Sequence, residues 1–323
     1  MFIFLYIILK LFKNFSNSDI VDVAEYLGGK FLKIIIGTLF IAYFIVISAT
    51  QLRNFCEILQ LAYFPGVPIS LLIILFLAIA VIANKFGNMS ITRINLIVVP
   101  LVMINLLIAF FCISSRFVPE RIFPILGYGI NETFFSGATN LFAFTGLSYI
   151  YFLQPLLKNS EKFKKVSFIG MGISAIYLFL SITTLLFSFA DVLSINEISP
   201  IYLLVRGADW GRFIQRPDSV FFLGWILCMM SYISISIMLV IVIFKKLGNL
   251  NSKFPLAYPT SALIFIVAIL PKGIAEIRFI ENYIFKYFTL ILLFIISFLV
   301  LVLANIKQKK LKLPNKEDLV NEV

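Results

Sequence analysis

The side chains in this sequence best suited to holding a ligand are uncharged. Asn140, Phe144, Thr145, Gly146, Ser148 and Tyr149 fall in one apolar stretch, residues 132–157. Tyr43, Ser48 and Gln51 lie in an earlier apolar run, and Ser231, Tyr232 and Ser234 in a later one. Hydroxyls and amides at membrane depth suit a small neutral or zwitterionic solute, whose carboxylate the exposed N–H groups of an unwound helix would take. The same groups also read as plain hydrogen bonds between helices, worth about 0.6–2 kcal/mol each. Little here suggests catalysis. The chain has no His, which removes the commonest general base and metal ligand. It has no Ser–His pair, no metal-ligand cluster and no glycine loop shaped for phosphate. No enzyme activity, catalytic residue, metal site or cofactor is therefore expected. Four charged residues stand near the ends of apolar runs: Arg53, Glu57, Arg216 and Asp218. The spacing of Arg53 and Glu57 pairs them on one helix face. All four read either as side chains snorkelling to an interface or as charged gates and partner contacts.

Residues 132–157 need an element that explains their mixed character. The stretch is long enough to span a bilayer, for which about 20 apolar residues suffice. Its middle is unusual for a plain span, because Gly146 weakens a helix interior by about 0.5–1 kcal/mol among small and polar neighbours. Irregular backbone at that depth survives only where protein buries it or a wet cavity lines it. The stretch is thus expected to be a helix broken near Thr145 and Gly146 beside a binding site. An unbroken span with a small-residue packing face is the other reading.

The composition sets the surroundings. Of 323 residues, 61% are hydrophobic and 13% charged, against about 45–50% and about 25% in soluble domains. The apolar runs are near helix-spanning length rather than alternating strands, so the class is an all-α polytopic membrane protein. The three cysteines, Cys56, Cys112 and Cys228, are scattered and form neither a zinc pattern nor a disulfide framework. A formal charge of +11 fits attraction to anionic membrane lipid and a positive-inside bias, not nucleic acid.

Eight full spans are expected, at about 32–61, 69–84, 94–113, 132–157, 166–190, 219–244, 256–277 and 283–306. Residues 1–306 form one transmembrane domain and 307–323 a basic tail. Residues 1–12 are apolar but short. They lack the basic start and small-residue cleavage site of a signal peptide, and read as the remnant of a longer helix. Asn17 and Ser18 offer a helix cap, and Gly28–Gly29 a stop. Pro65–Gly66–Val67–Pro68 is a tight turn, Pro100 kinks the third span, and Pro271 interrupts the seventh. If connections alternate sides, one side collects most lysines, among them Lys85, Lys158, Lys164, Lys165, Lys245, Lys246 and Lys307. That side is cytoplasmic by the positive-inside bias, and the C-terminus lies with it.

Several segments together resemble the B subunits of spore germinant receptors, a spore-germination branch of the amino acid/polyamine/organocation (APC) transporter superfamily. They are Leu27–Gly37, the loop Phe123–Ile130 with its Pro-Ile-Leu-Gly-Tyr-Gly core, Phe142-Ala143-Phe144-Thr145-Gly146 with Phe152-Leu153-Gln154-Pro155, and Phe213-Ile214-Gln215-Arg216-Pro217-Asp218. The resemblance implies a leucine-transporter-like fold of two inverted five-helix repeats, with discontinuous first and sixth helices flanking the ligand. The stretch 132–157 would be the sixth. The fold is then incomplete, eight full helices plus a partial N-terminal one, lacking the family's first helix. Ala143 stands where the family carries Pro, and Gly146 where an acidic residue is expected. The resemblance further implies a subunit of the spore inner or cell membrane that recognises a small germinant, such as an amino acid, with A- and C-type partner subunits. An amino-acid permease and a shortened, non-binding assembly subunit are the alternatives.

Overall fold

A computed structural model describes residues 1–15, 17–123, 129, 131, 145–157, 160–188, 199–208, 217–250 and 255–312. The helices are α1 (Phe2–Phe12), α2 (Ile20–Tyr63), α3 (Ile69–Lys85), α4 (Asn88–Ile113), α5 (Leu147–Leu157), α6 (Ser160–Ser188), α7 (Pro200–Gly207), α8 (Pro217–Gly248) and α9 (Ala257–Ile269), with α10 over 274–312. No strand occurs among the described residues. Among the described residues, five segments are long and apolar enough to cross a membrane: Ile20–Tyr63, Asn88–Arg116, Glu161–Ser188, Pro217–Gly248 and Ile274–Lys309. The helix α3, with 17 residues, and α9, with 13, rise only about 26 and 20 Å. Both fall short of the roughly 30 Å hydrocarbon layer. Of the expected fourth span only its second half, α5, is described. The faces of α4 and α6 turn apolar side chains outward, with Ile97 74% and Phe179 69% exposed. A continuous greasy exterior of this kind belongs against lipid, not water.

The centre of the molecule is α2 packed on α8, with α3, α4 and α9 around them. Two aromatic clusters fill it. Phe40, Tyr43, Phe44, Tyr151 and Phe152 form one. Phe55, Phe76, Phe222 and Trp225 form the other. Such rings bury large apolar areas, and tilted or edge contacts add about 0.5–1.5 kcal/mol per pair.

Local chemistry explains where the helices begin and break. The cap of α2 is Asp19, not Asn17 or Ser18: its carboxylate accepts from Val21 and Asp22 N–H at 3.0 Å, while Asp22 accepts from the Asp19 N–H. This reciprocal arrangement satisfies donors that a helix start leaves open. At Gly28–Gly29 the backbone leaves helical geometry, Gly29 reaching φ 67°, a region glycine enters without penalty. Lys307 Nζ donates to the Tyr26 and Leu27 carbonyls just before this break, at 2.9 and 3.1 Å. The turn at Pro65–Pro68 is tied back by Gln60 Nε2 donating to the Val67 carbonyl at 2.6 Å. Pro100 sits inside an α4 that stays continuous.

The last two spans need correction. The expected boundary between them was 277–283, but α9 ends at Ile269 and α10 starts at Ile274. Pro271 supplies no backbone N–H, so the chain stops there and restarts after Gly273. The helix α10 then contains two π-helical segments, Ile280–Phe285 and Leu290–Ile296. Its helix also runs on through residues 307–312 rather than ending before a separate tail. At one end of the bundle, Lys246 of α8 pairs with Asp19 and with Asp22, the latter at 2.6 Å. Asn305 of α10 meets Asn14 and the Leu11 carbonyl at the same end. The lysine-rich ends of α1, α8 and α10 thus gather around the start of α2.

Candidate functional site

Thr145 and Gly146 form a turn, and α5 starts directly after it. The Ser148 N–H donates to the Thr145 carbonyl at 3.0 Å and the Tyr149 N–H to the Gly146 carbonyl at 3.2 Å. Ser148 Oγ donates to the same Thr145 carbonyl at 2.8 Å. Gly146 is exposed, and a Cβ built on it would find no atom of the described residues within 4 Å. The space beside it is a cavity of about 310 Å³ between α5 and α6, lined by Gly146, Tyr149, Leu153, Ser167 and Gly170 among others. Asn140 and Phe144 lie outside the described residues.

Four helices bring hydroxyls to this turn. Tyr43 from α2 is fully buried and stacks on Phe285, with ring centres 5.4 Å apart. Its hydroxyl has no hydrogen-bond partner. The Ser148 and Thr289 hydroxyls stand near enough to interact with it, yet neither meets it in hydrogen-bond geometry. Thr289 Oγ1, also buried, is unpartnered too. Thr289 sits in the short α-helical piece between the two π segments of α10. From α5, the Tyr149 hydroxyl meets Ser236 Oγ of α8 at 3.1 Å. Ser236 Oγ in turn donates to the Tyr232 carbonyl at 2.9 Å. The Tyr232 hydroxyl lies close to those of Tyr149 and Tyr43. Tyr151, one residue pair along α5, donates to the Leu293 carbonyl at 2.6 Å. Insertion of one residue into a helical turn frees backbone groups, and such π segments cluster at functional sites.

The sequence-predicted residues therefore divide. Tyr43, Ser148, Tyr149 and Tyr232 come together beside the Thr145–Gly146 turn. Ser231, half-buried on α8, makes no hydrogen bond to them. Ser234 donates to its own helix, to the Met230 carbonyl at 2.7 Å. Thr289 and Ser236 belong to the cluster and were not among the expected site residues. Thr289 had a signal, being the one Ser or Thr in the apolar run 280–296.

The charged residues form a separate layer toward the far end of α2. Arg53 Nε and Glu57 Oε1 are 2.8 Å apart and both side chains are buried, 8% and 7% exposed. The two pair on one helix face, as their spacing predicts, and both are buried rather than reaching to the surface. Arg53 also reaches the Ala268 carbonyl near the end of α9, at 3.5 Å. Asp218, in the first turn of α8 and 2% exposed, accepts from the Tyr63 hydroxyl at 2.9 Å. Gln51 donates to Glu281 at 3.2 Å, joining α2 to the first π segment. Arg216 lies outside the described residues. No cluster of His, Cys, Asp and Glu fit for a metal occurs among the described residues.

What such a cluster can do is bind. Among the described residues the site offers hydroxyl donors and acceptors, aromatic walls and no charged side chain. Comparison with known proteins gives its context. Residues 1–277 match the family described as spore germination protein. The chain is 26% identical to spore germination protein B2 of Bacillus subtilis (strain 168) over 65% of its own length and 57% of the relative's. It is 23% identical to spore germination protein KB of the same organism, over 80% of this chain and 70% of that one. With spore germination protein A2, also of that organism, it shares 22% identity over 87% and 76%. The match to B2 thus spans less than two thirds of that relative.

Proposed function

The chain belongs to the spore germination protein family, and from that premise we propose that it is a germinant-recognising membrane subunit. In this reading it holds a small neutral or zwitterionic germinant, such as an amino acid, between α2, α5, α8 and α10. It lies in the spore inner membrane with its C-terminus in the cytoplasm, and works with A- and C-type receptor subunits. In this reading its helices follow the inverted-repeat arrangement that the resemblance implies, with α5 as the second half of the discontinuous sixth helix.

One observation carries the reading: among the described residues the buried Tyr43 and Thr289 hydroxyls lack partners, beside a turn that a cavity adjoins. A buried polar group left unpaired costs about 1–3 kcal/mol. A ligand whose ammonium and carboxylate complete these bonds recovers that loss. Tyr149 links the cluster to the cavity, since it lines the one and belongs to the other. Spores carrying Thr145→Leu or Gly146→Leu should lose the germinant response while the protein stays in the membrane at normal abundance. A Tyr232→Phe change should raise the germinant concentration needed by about tenfold, the equivalent of one lost hydrogen bond of about 1.4 kcal/mol. Normal responses in all three would argue that these residues only pack helices.

A second reading, solute transport, draws on the π segments of α10, because such segments gather at functional sites within helices. Uptake of labelled amino acid by vesicles containing the protein would favour it. Binding without uptake favours the receptor.

A further inference from the structure

A cavity at the lysine-rich end is not used by the reading above. It has a volume of about 680 Å³ and lies where the end of α1, the end of α5 and the start of α6 converge. Lys10, Lys13, Lys164 and Lys165 line it, against the single carboxylate of Glu161. None of these four lysines has a carboxylate partner among the described residues. Lys164 Nζ instead lies over the Tyr6 ring, 5.4 Å from its centre. Leu9, Phe163 and Phe168 make an apolar wall.

Gln154 supplies a second, independent feature. It lines the cavity and is 3% exposed. Its Nε2 donates to the Phe12 carbonyl at 3.2 Å, which fixes the amide's orientation. Its Oε1 is buried without a partner. An acceptor held in this way calls for a donor, and an anion alone has none to give. An occupant that carries negative charge for the lysines and a hydroxyl for Gln154 matches both features.

The geometry points to a site for the headgroup of an anionic, hydroxyl-bearing phospholipid of the phosphatidylglycerol class. The lysines take the phosphate, which ammonium groups bind as point charges. A headgroup hydroxyl donates to Gln154 Oε1, and the glycerol backbone and first acyl carbons lie along Leu9, Phe163 and Phe168. The position suits a lipid better than a soluble ester. The cavity opens at the end of three apolar helices, where headgroups sit and where each Lys adds to attraction for anionic lipid. A bound lipid there would tie α1 to the α5–α6 pair.

The test uses the full chain purified in nanodiscs of mixed phosphatidylglycerol and phosphatidylcholine, with co-purified lipid quantified by mass spectrometry. Wild type should retain phosphatidylglycerol several-fold above its bulk share. Lys10→Gln with Lys165→Gln should lower that enrichment about tenfold. Lys85→Gln, a lysine at the end of α3, should leave it unchanged. Gln154→Leu should keep the preference for anionic lipid but lose the preference for phosphatidylglycerol over phosphatidic acid, whose headgroup has no glycerol hydroxyl. Lys164→Gln gives a second measurement if the double variant does not fold. Equal enrichment in wild type and the lysine variants would overturn the site. Displacement of the retained lipid by water-soluble glycerol phosphate would overturn the lipid assignment in favour of a soluble phosphate ester.

Discussion

At the scale of single residues, the molecule separates neutral chemistry from charged chemistry. Tyr43, Ser148, Tyr149, Tyr232, Ser236 and Thr289 meet without a charge among them, while Arg53 and Glu57 form a closed pair away from that cluster. Taking two charges out of water is costly, and removing one partner strands the other. Arg53→Ala alone should therefore lower stability by about 3–5 kcal/mol, read as earlier thermal unfolding in detergent. Arg53→Met combined with Glu57→Leu should recover most of that loss. A mild single variant would mean that water reaches Glu57. The types of these residues were legible from sequence: neutral polar groups in apolar runs, and an acid four residues after an Arg. Which hydroxyls meet was not. Ser234 and Ser236 are two residues apart on α8, yet only Ser236 touches Tyr149. That choice is made by the rotation of α8 against α5, which no local pattern encodes.

At the scale of elements, some helix ends were legible from Pro and Gly, while the boundary between α9 and α10 at Pro271–Gly273 and the Asp19 cap were not. Gly28–Gly29 breaks α2, and Pro65–Pro68 separates it from α3, as their chemistry predicts. The π segments of α10 had no such mark. The second, Leu290–Ile296, sits in an ordinary apolar run, and tertiary partners meet both, the Tyr151 hydroxyl on the Leu293 carbonyl and Gln51 on Glu281. The contact of α4 with α8 rests on a small residue. A Cβ on Gly224 would come within 2.4 Å of the Asn105 side chain, whose Nδ2 donates to the Val220 carbonyl at 2.7 Å. Gly224→Ala should therefore push the helices apart and cost about 1–3 kcal/mol, as overpacking does. Gly146→Ala, whose added Cβ meets no atom of the described residues within 4 Å, should change unfolding by less than about 0.5 kcal/mol. Equal effects of the two in the same unfolding assay would contradict this description of both sites.

At the scale of the whole molecule, the charge distribution and the packing agree on which ends belong together. The ends of α1, α8 and α10 meet around Asp19 and Asp22, and each carries lysines. Positive residues are retained on the cytoplasmic side during insertion. A reporter fused after Lys316 should then be cytoplasmic, and one placed near Asn196 external. The reverse labelling would invert the map and move the lysine-lined cavity to the outer leaflet. The same arrangement places the hydroxyl cluster within the bundle, between the lysine-rich end and the Arg53–Glu57 layer. A ligand reaching it would bridge α5 to α2, α8 and α10, so occupancy would bias how these helices pack.

The most direct test is equilibrium binding of labelled neutral amino acids to the purified chain in nanodiscs, wild type against Gly146→Leu. Saturable binding by wild type, lost in a variant that unfolds at the same temperature, is the predicted result. Binding of equal strength in both proteins, or no saturable binding of any neutral amino acid to either, would contradict a ligand site beside the Thr145–Gly146 turn.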